Sequence, residues 1–203
     1  MPILTWYGHS CFGLDFGPGG SVVFDPYSPG SVPGTELPKK LAADLVLCSH
    51  QHGDHNAADR VKLNGRKPAF SVTLLDSFHD SEKGAKRGPN TIALVEYDGF
   101  RAVHLGDQGC ALSAEQIEAL KEPDLLMIPV GGFFTIGPDE AVSILHQLQP
   151  RVAVPMHYRR GKMGYNVLSS LEEFLEKVGA YTELDTGTLD IRTETAGLFV
   201  LKT

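Results

Sequence analysis

Apolar and polar positions along the chain follow two periods. From Cys11 to Phe16 apolar residues alternate with small or polar ones, GPGG at 17–20 supplies a turn, and Ser21–Asp25 returns, which predicts a hairpin. Leu45–Cys48 is a short unbroken apolar run of the kind that fills a buried strand, and Asp124–Val130 and Val152–Val154 read the same way. Ala69–Phe78 is strand-like and ends at His79. Thr91–Tyr97 and Phe100–Leu105 flank Asp98-Gly99, a strong two-residue hairpin turn. Elsewhere the spacing turns helical. Ser113 and Gln116 form a capping-box signature ahead of Ile117 and Leu120, and Pro123 ends that segment. Pro138 opens a helix carrying Val142, Leu145 and Leu148, stopped by Pro150. Leu171, Phe174, Leu175 and Val178 share one face before Gly179. Asn56 is expected to cap a further helix over Ala57–Leu63, with Gly65 as its stop. The tail from Tyr181 to Leu201 reads as short strands. This mixed order, with hairpins, predicts an α/β fold of the α+β mixed kind, in which helices cover sheets.

Composition narrows the class. The 203 residues suffice for one sizeable core, and no linker or low-complexity segment interrupts them, so a single domain over 1–203 is expected. Hydrophobic content of 42% with 21% charged residues is ordinary for a soluble globular chain. No apolar run approaches the ~18 residues of a membrane span. The start, MPILTWYGHS, lacks the basic and apolar regions of a signal peptide. Three cysteines, Cys11, Cys48 and Cys110, form no CxxC pair, which suits a reducing, cytoplasmic compartment. A formal net charge of −7 argues against nucleic acid as a partner. A small molecule is the expected substrate, and an exposed strand edge or apolar patch would allow a homo-oligomer.

One stretch stands apart. Residues 49–56 read SHQHGDHN, which places His50, His52, Asp54 and His55 within six positions of a chain that has only eight histidines. Three His and one Asp at four fixed positions should arise by chance in roughly one chain of this composition per thousand, so a solvated polar loop is a poor account of it. Imidazole and carboxylate without thiolate suit zinc, iron or manganese. His50 and His52 are two apart and point to one side of an extended turn, whereas Asp54 and His55 are adjacent and diverge. One loop can therefore serve two ions. Three other strands end in the same way, in His79, Asp107 and His157, and strand ends on an α/β scaffold are where sites are built.

In order along the chain, HQHGDH, Asp107 within HLGDQG and His157 within VPMHY resemble the metallo-β-lactamase superfamily. GHSCF near the start, FHD at 78–80, RGPN at 87–90 and PVGGFFTIGPDEA at 129–141 are similar to one branch of it. That branch comprises small metal-dependent hydrolases related to the L-ascorbate-6-phosphate lactonases and the N-acyl-phosphatidylethanolamine phospholipases D. The resemblance implies a four-layer αββα sandwich with two divalent ions, zinc first and manganese or iron as alternatives. It implies that His50, His52 and His79 hold the first ion, that Asp54, His55 and His157 hold the second, and that Asp107 bridges both. His104, three residues before Asp107, competes with His79. Strand alternation sets it on the opposite face from Asp107, and His79 is preferred. The implied chemistry is hydrolysis of a small anionic ester, lactone or phosphoester by a hydroxide formed where bound water has its pKa lowered toward ~7, with Asp54 and Asp107 as the catalytic carboxylates.

Other features are open to two readings. GHSCF is no nucleophile elbow, because position 12 is Phe where Gly is required. His9 is either a pocket residue or a structural one. Asn90, Phe133, Tyr158 and Arg159 are candidates for substrate contact, each with plain packing or solvation as the alternative. Lys83, Lys86 and Arg87 follow His79, and Arg159, Arg160 and Lys162 follow His157, a local basic bias suited to an anion. Two further functions use the same donors: an iron-dependent redox or oxygen-using enzyme, and a non-enzymatic metal-binding module.

Overall fold

Alternation along Ser21–Phe24 sorts side chains to two faces: Val22 and Phe24 join the main core, while Val23 turns outward to a smaller one. The computed structural model describes residues 1–193 and 195–203. In chain order the strands and helices are β1 (Ile3–Trp6), β2 (Phe12–Asp15), β3 (Ser21–Phe24), β4 (Leu41–Ala43), β5 (Leu45–Leu47), β6 (Val61–Leu63), β7 (Ser71–Phe78), β8 (Pro89–Tyr97), β9 (Phe100–His104), α1 (Ala114–Leu120), β10 (Leu125–Pro129), α2 (Pro138–Leu148), β11 (Val152–Met156), α3 (Leu171–Val178), β12 (Thr182–Glu183), β13 (Thr188–Asp190) and β14 (Gly197–Val200).

Two sheets face each other. The first has the order β13-β1-β2-β3-β5, and the second β12-β14-β11-β10-β9-β8-β7. Strands β9, β10, β11 and β14 run parallel, and α1, α2 and α3 make the crossovers. Parallel strands are covered on both faces, which explains why LLMIP in β10 and VAVPM in β11 are buried throughout. The buried residues of the helices, among them Leu120, Ile144, Leu148 and Phe174, belong to the same core as Phe12, Leu14 and Phe24 of the first sheet. The arrangement is the expected mixed α/β sandwich. The hairpin at Asp98-Gly99 forms with φ of 50° and 80°, as a type I′ turn requires. No helix among the described residues is long and apolar enough to cross a membrane.

One element differs. The helix expected over Ala57–Leu63 is a 3₁₀ turn, Ala58–Arg60, running into β6, which pairs parallel with β4. Asn56 caps nothing; its amide donates to the Gln51 backbone and side-chain oxygens. Val61 is drawn into a small outer core with Leu41, Tyr27 and Val23. Seven residues are too few to hold a helix against that pairing. The outer layer over the first sheet is therefore built from the β4–β6 pair and loops, where a helix was expected.

Candidate metal centre

Five strand ends open on one edge of the sandwich. β5 runs through Ser49 into His50, β7 passes to His79, β9 leads to Asp107, β11 to His157, and β3 to Asp25. Gly106 makes the approach of Asp107 feasible. Its φ is 58°, and a Cβ there would overlap Ser49 and Asn90. Gly131 does the same for His157, whose carbonyl occupies the space a Cβ would need.

Asp107 is the hub. Its Oδ2 lies 3.2 Å from His79 Nε2 and from His157 Nε2 and 3.9 Å from His50 Nε2, while Oδ1 lies 3.2 Å from His55 Nε2. Asp54 Oδ2 stands 3.8 Å from His55 Nε2 and 3.4 Å from His9 Nε2. Three sets of donor atoms fall within 4.8 Å of one another: His50, His52 and His79; His9, Asp54, His55 and His157; and His50, His55 and Asp107. His50, His55, His79, Asp107 and His157 are buried, while His52 is exposed and Asp54 partly so, which puts the mouth of the site on their side. His104 stays outside. Its Nε2 lies 2.9 Å from the Ser10 carbonyl and its ring stacks on Phe24.

A supporting layer fixes the rings. Asp25 accepts from the Ser49 amide and hydroxyl and from His55 Nδ1 at 2.6, 2.7 and 2.8 Å. The Ser49 proton is thereby used, so His50 Nδ1–H donates to Ser49 Oγ at 3.0 Å. His79 Nδ1–H donates to the Phe134 carbonyl at 2.9 Å. In each ring Nδ1 is thereby engaged, and Nε2 is the nitrogen left facing the centre. Burial, then His157, lowers His9 to about 4, and burial with His55 lowers His50 to about 3. Burial would lower His55 as well, but Asp107 and Asp25 raise it well above its usual value. Burial would raise Asp107, yet His157 and His55 hold it well below the carboxylate range.

His50 Nε2, His55 Nε2, His157 Nε2 and Asp107 Oδ1 are buried and have no hydrogen-bond partner among the described residues. Each such atom costs about 1–3 kcal/mol when left unpaired. Divalent cations held in these donor groups would satisfy them, and the all-nitrogen-and-oxygen donor set suits zinc, manganese or iron.

Residues 3–157 match the beta-lactamase superfamily domain. The chain belongs to the beta-lactamase superfamily. Among its superfamily relatives, a metal-dependent hydrolase of Opitutus terrae is 32% identical over 193 residues, covering 76% of this chain and 84% of that one. Another from Archaeoglobus fulgidus is 29% identical over 195 residues, covering 76% and 82%. Among solved structures, a Thermotoga maritima protein assigned to the zinc-dependent hydrolases of the metallo-β-lactamase superfamily superposes with a TM-score of 0.79. It shares 30% identity, over 99% of this chain and 98% of that one.

Of the residues of this superfamily member that were expected to touch substrate, four are buried or hydrogen-bonded within the fold. Tyr158 is 2% exposed with its ring on Trp6, and the cavity it borders, with Trp6, Arg160 and Met163, contains none of the proposed ligands. Asn90 is buried with both ends of its amide taken: Oδ1 accepts from Asp107 N and Nδ2 donates to the Leu105 carbonyl, so it positions the Asp107 loop. Arg159 donates to the Leu168 carbonyl. Arg160 is paired with Glu183 and Glu172, so its charge is not free for an anion. His9 is buried against Asp54 and His157, away from solvent. Phe133 alone of this group is open, at 62%. It and Phe134 border a 350 Å³ cleft, also lined by Asp80, Arg87 and Cys110, beside His79. The Arg87 guanidinium lies over both rings at 5.8 and 5.5 Å.

Two supporting residues escaped the sequence reading. Asp25 ends a strand just as the ligand candidates do, and the same rule applied to β3 names it. Tyr165, whose hydroxyl donates to the Ser31 carbonyl at 2.5 Å and lies 3.2 Å from Asp54 Oδ2, sits in an irregular loop and carries no such signal.

Proposed function

We propose that this protein is a hydrolase working with two divalent ions, zinc first, on a small anionic ester, lactone or phosphoester. The supporting observation is that buried donor atoms without a hydrogen-bond partner among the described residues gather in adjoining groups on either side of Asp107 at the sheet edge. His50, His52 and His79 would hold the first ion, Asp54, His55 and His157 the second, and Asp107 would bridge them. Bound there, the ions would supply a water acidified toward about pH 7 and would polarise a carbonyl or phosphoryl oxygen. The chain's own part is to hold the geometry. Asp25 and Ser49 lock His55 and His50, and the Phe134 carbonyl locks His79. The Asp107 carboxylate stays ionised and can accept a hydrogen bond from the attacking water, which orients it. An anionic substrate is supported by Arg87, which borders the cleft and has no carboxylate within ion-pair reach among the described residues.

The test is metal content by mass spectrometry on protein purified without chelator, with Asp107→Ala alongside, and turnover of anionic and neutral chromogenic esters and phosphodiesters. About two equivalents of metal, falling in the variant with loss of turnover and a preference for anionic substrates, is the expected result. Iron with an oxygen-dependent activity, or one tightly held ion with no turnover in either protein, would overturn it.

A further inference from the structure

His9 is a buried imidazole with unusual surroundings. It is 1% exposed, and neither Nδ1 nor Nε2 has a hydrogen-bond partner among the described residues. Its ring lies 4.2 Å from that of His157 and 5.3 Å from that of His55. Its backbone has φ of 52°, in the left-handed region that a non-glycine residue occupies only where the surroundings impose it. Those surroundings are on hand. Trp6 Nε1 donates to the His9 carbonyl at 3.0 Å, and Gly8, at φ 99°, packs on Thr35 where a Cβ would collide. The fold thus holds an unsatisfied ring rigidly against the proposed second ion's donors.

The separations distinguish two uses of that ring. His9 Nε2 lies 3.4 Å from Asp54 Oδ2, longer than the about 2.7–2.9 Å of a hydrogen bond to a carboxylate. Two donors each about 2.0–2.1 Å from one ion stand about 3.3 Å apart at tetrahedral corners. The 3.2 Å separations of Asp107 from His55, His79 and His157 have this same value. His9 Nε2, Asp54 Oδ2 and one nitrogen each of His55 and His157 all fall within 4.8 Å of one another.

We propose that His9 is a direct ligand of the second ion through Nε2, so that this ion is held by His9, Asp54, His55 and His157 with Asp107, one donor more than the seven-residue set provides. The assignment rests on the two-ion reading above. It gives the two ions unequal donor counts, His50, His52, His79 and Asp107 being left for the first.

The deciding measurement is an anomalous-scattering map of zinc-loaded crystals of the wild-type protein. Two ions, one of them about 2.1 Å from His9 Nε2, is the expected result. Two ions with His9 Nε2 more than about 3 Å from either would overturn the His9 assignment and leave the two-ion centre standing. A single ion among His50, His52 and His79 would overturn both. In solution, chelator competition on His9→Asn, which tolerates the left-handed backbone, should show one zinc affinity reduced about 100-fold and the other within about threefold of wild type. Two unchanged affinities in a folded variant would also overturn the assignment.

Discussion

Asp25 holds no ion in the proposed centre, yet its carboxylate fixes two of the residues that would. It takes three hydrogen bonds, from the Ser49 amide, the Ser49 hydroxyl and His55 Nδ1. Asp25→Asn keeps the shape but replaces one accepting oxygen by a donor, so either Ser49 or His55 loses its partner. Zinc affinity is expected to drop about 10- to 100-fold with every proposed ligand still present, as read by chelator competition. Unchanged affinity would mean that packing alone orients His55. At this scale the sequence is legible where donors are crowded, as in His50, His52, Asp54 and His55. It is silent where a partner arrives from far along the chain. The Phe134 carbonyl that orients His79 is 55 positions away, and Tyr165 is 111 positions from Asp54. Only folding brings such groups together, and no local spacing encodes them.

Elements were legible where local physics and tertiary packing agree. The capping box at Ser113 and the Asp98-Gly99 turn act within a few residues, and both form. The segment 57–63 was misread because its conformation is decided by β4, far away in sequence. Asp44 marks where that pairing is secured. Its carboxylate accepts from the Ser21 amide, Asn64 and both ends of the Arg66 fork. The Arg66 bonds, chiefly, pull its pKa below the usual carboxylate value, against burial. A depressed folded pKa means that this stabilisation is present above the unfolded value of about 3.9 and is lost as pH falls through the folded one. Asp44→Asn is therefore expected to destabilise by about 2 kcal/mol at pH 7, with the gap to wild type closing below about pH 4 in urea titrations. A gap constant from pH 7 to pH 3 would show that the carboxylate's charge contributes nothing.

For the molecule as a whole, the centre is a concentration of unsatisfied polarity inside a sandwich otherwise held by apolar packing. Strand ends from both sheets supply it: Asp25 and His50 from the first, His79, Asp107 and His157 from the second. Any ion bound there ties the two sheets together and binds the folded chain far better than the unfolded one, where these residues are scattered. Binding then adds stability as RT ln(1 + [L]/Kd), about 2.7 kcal/mol per site at a free concentration 100 times Kd. For a chain of this size each kcal/mol shifts Tm by about 2–4 °C. Zinc at that level should raise the Tm of chelator-stripped protein by roughly 5–10 °C for each site filled, and excess chelator should reverse it. Asp107→Ala, which removes the contact shared by both donor sets, should abolish most of the rise, whereas Asp44→Asn, remote from the centre, should lower the starting Tm and keep the full increment. Equal increments in wild type and Asp107→Ala would place the stabilising ions elsewhere on the molecule.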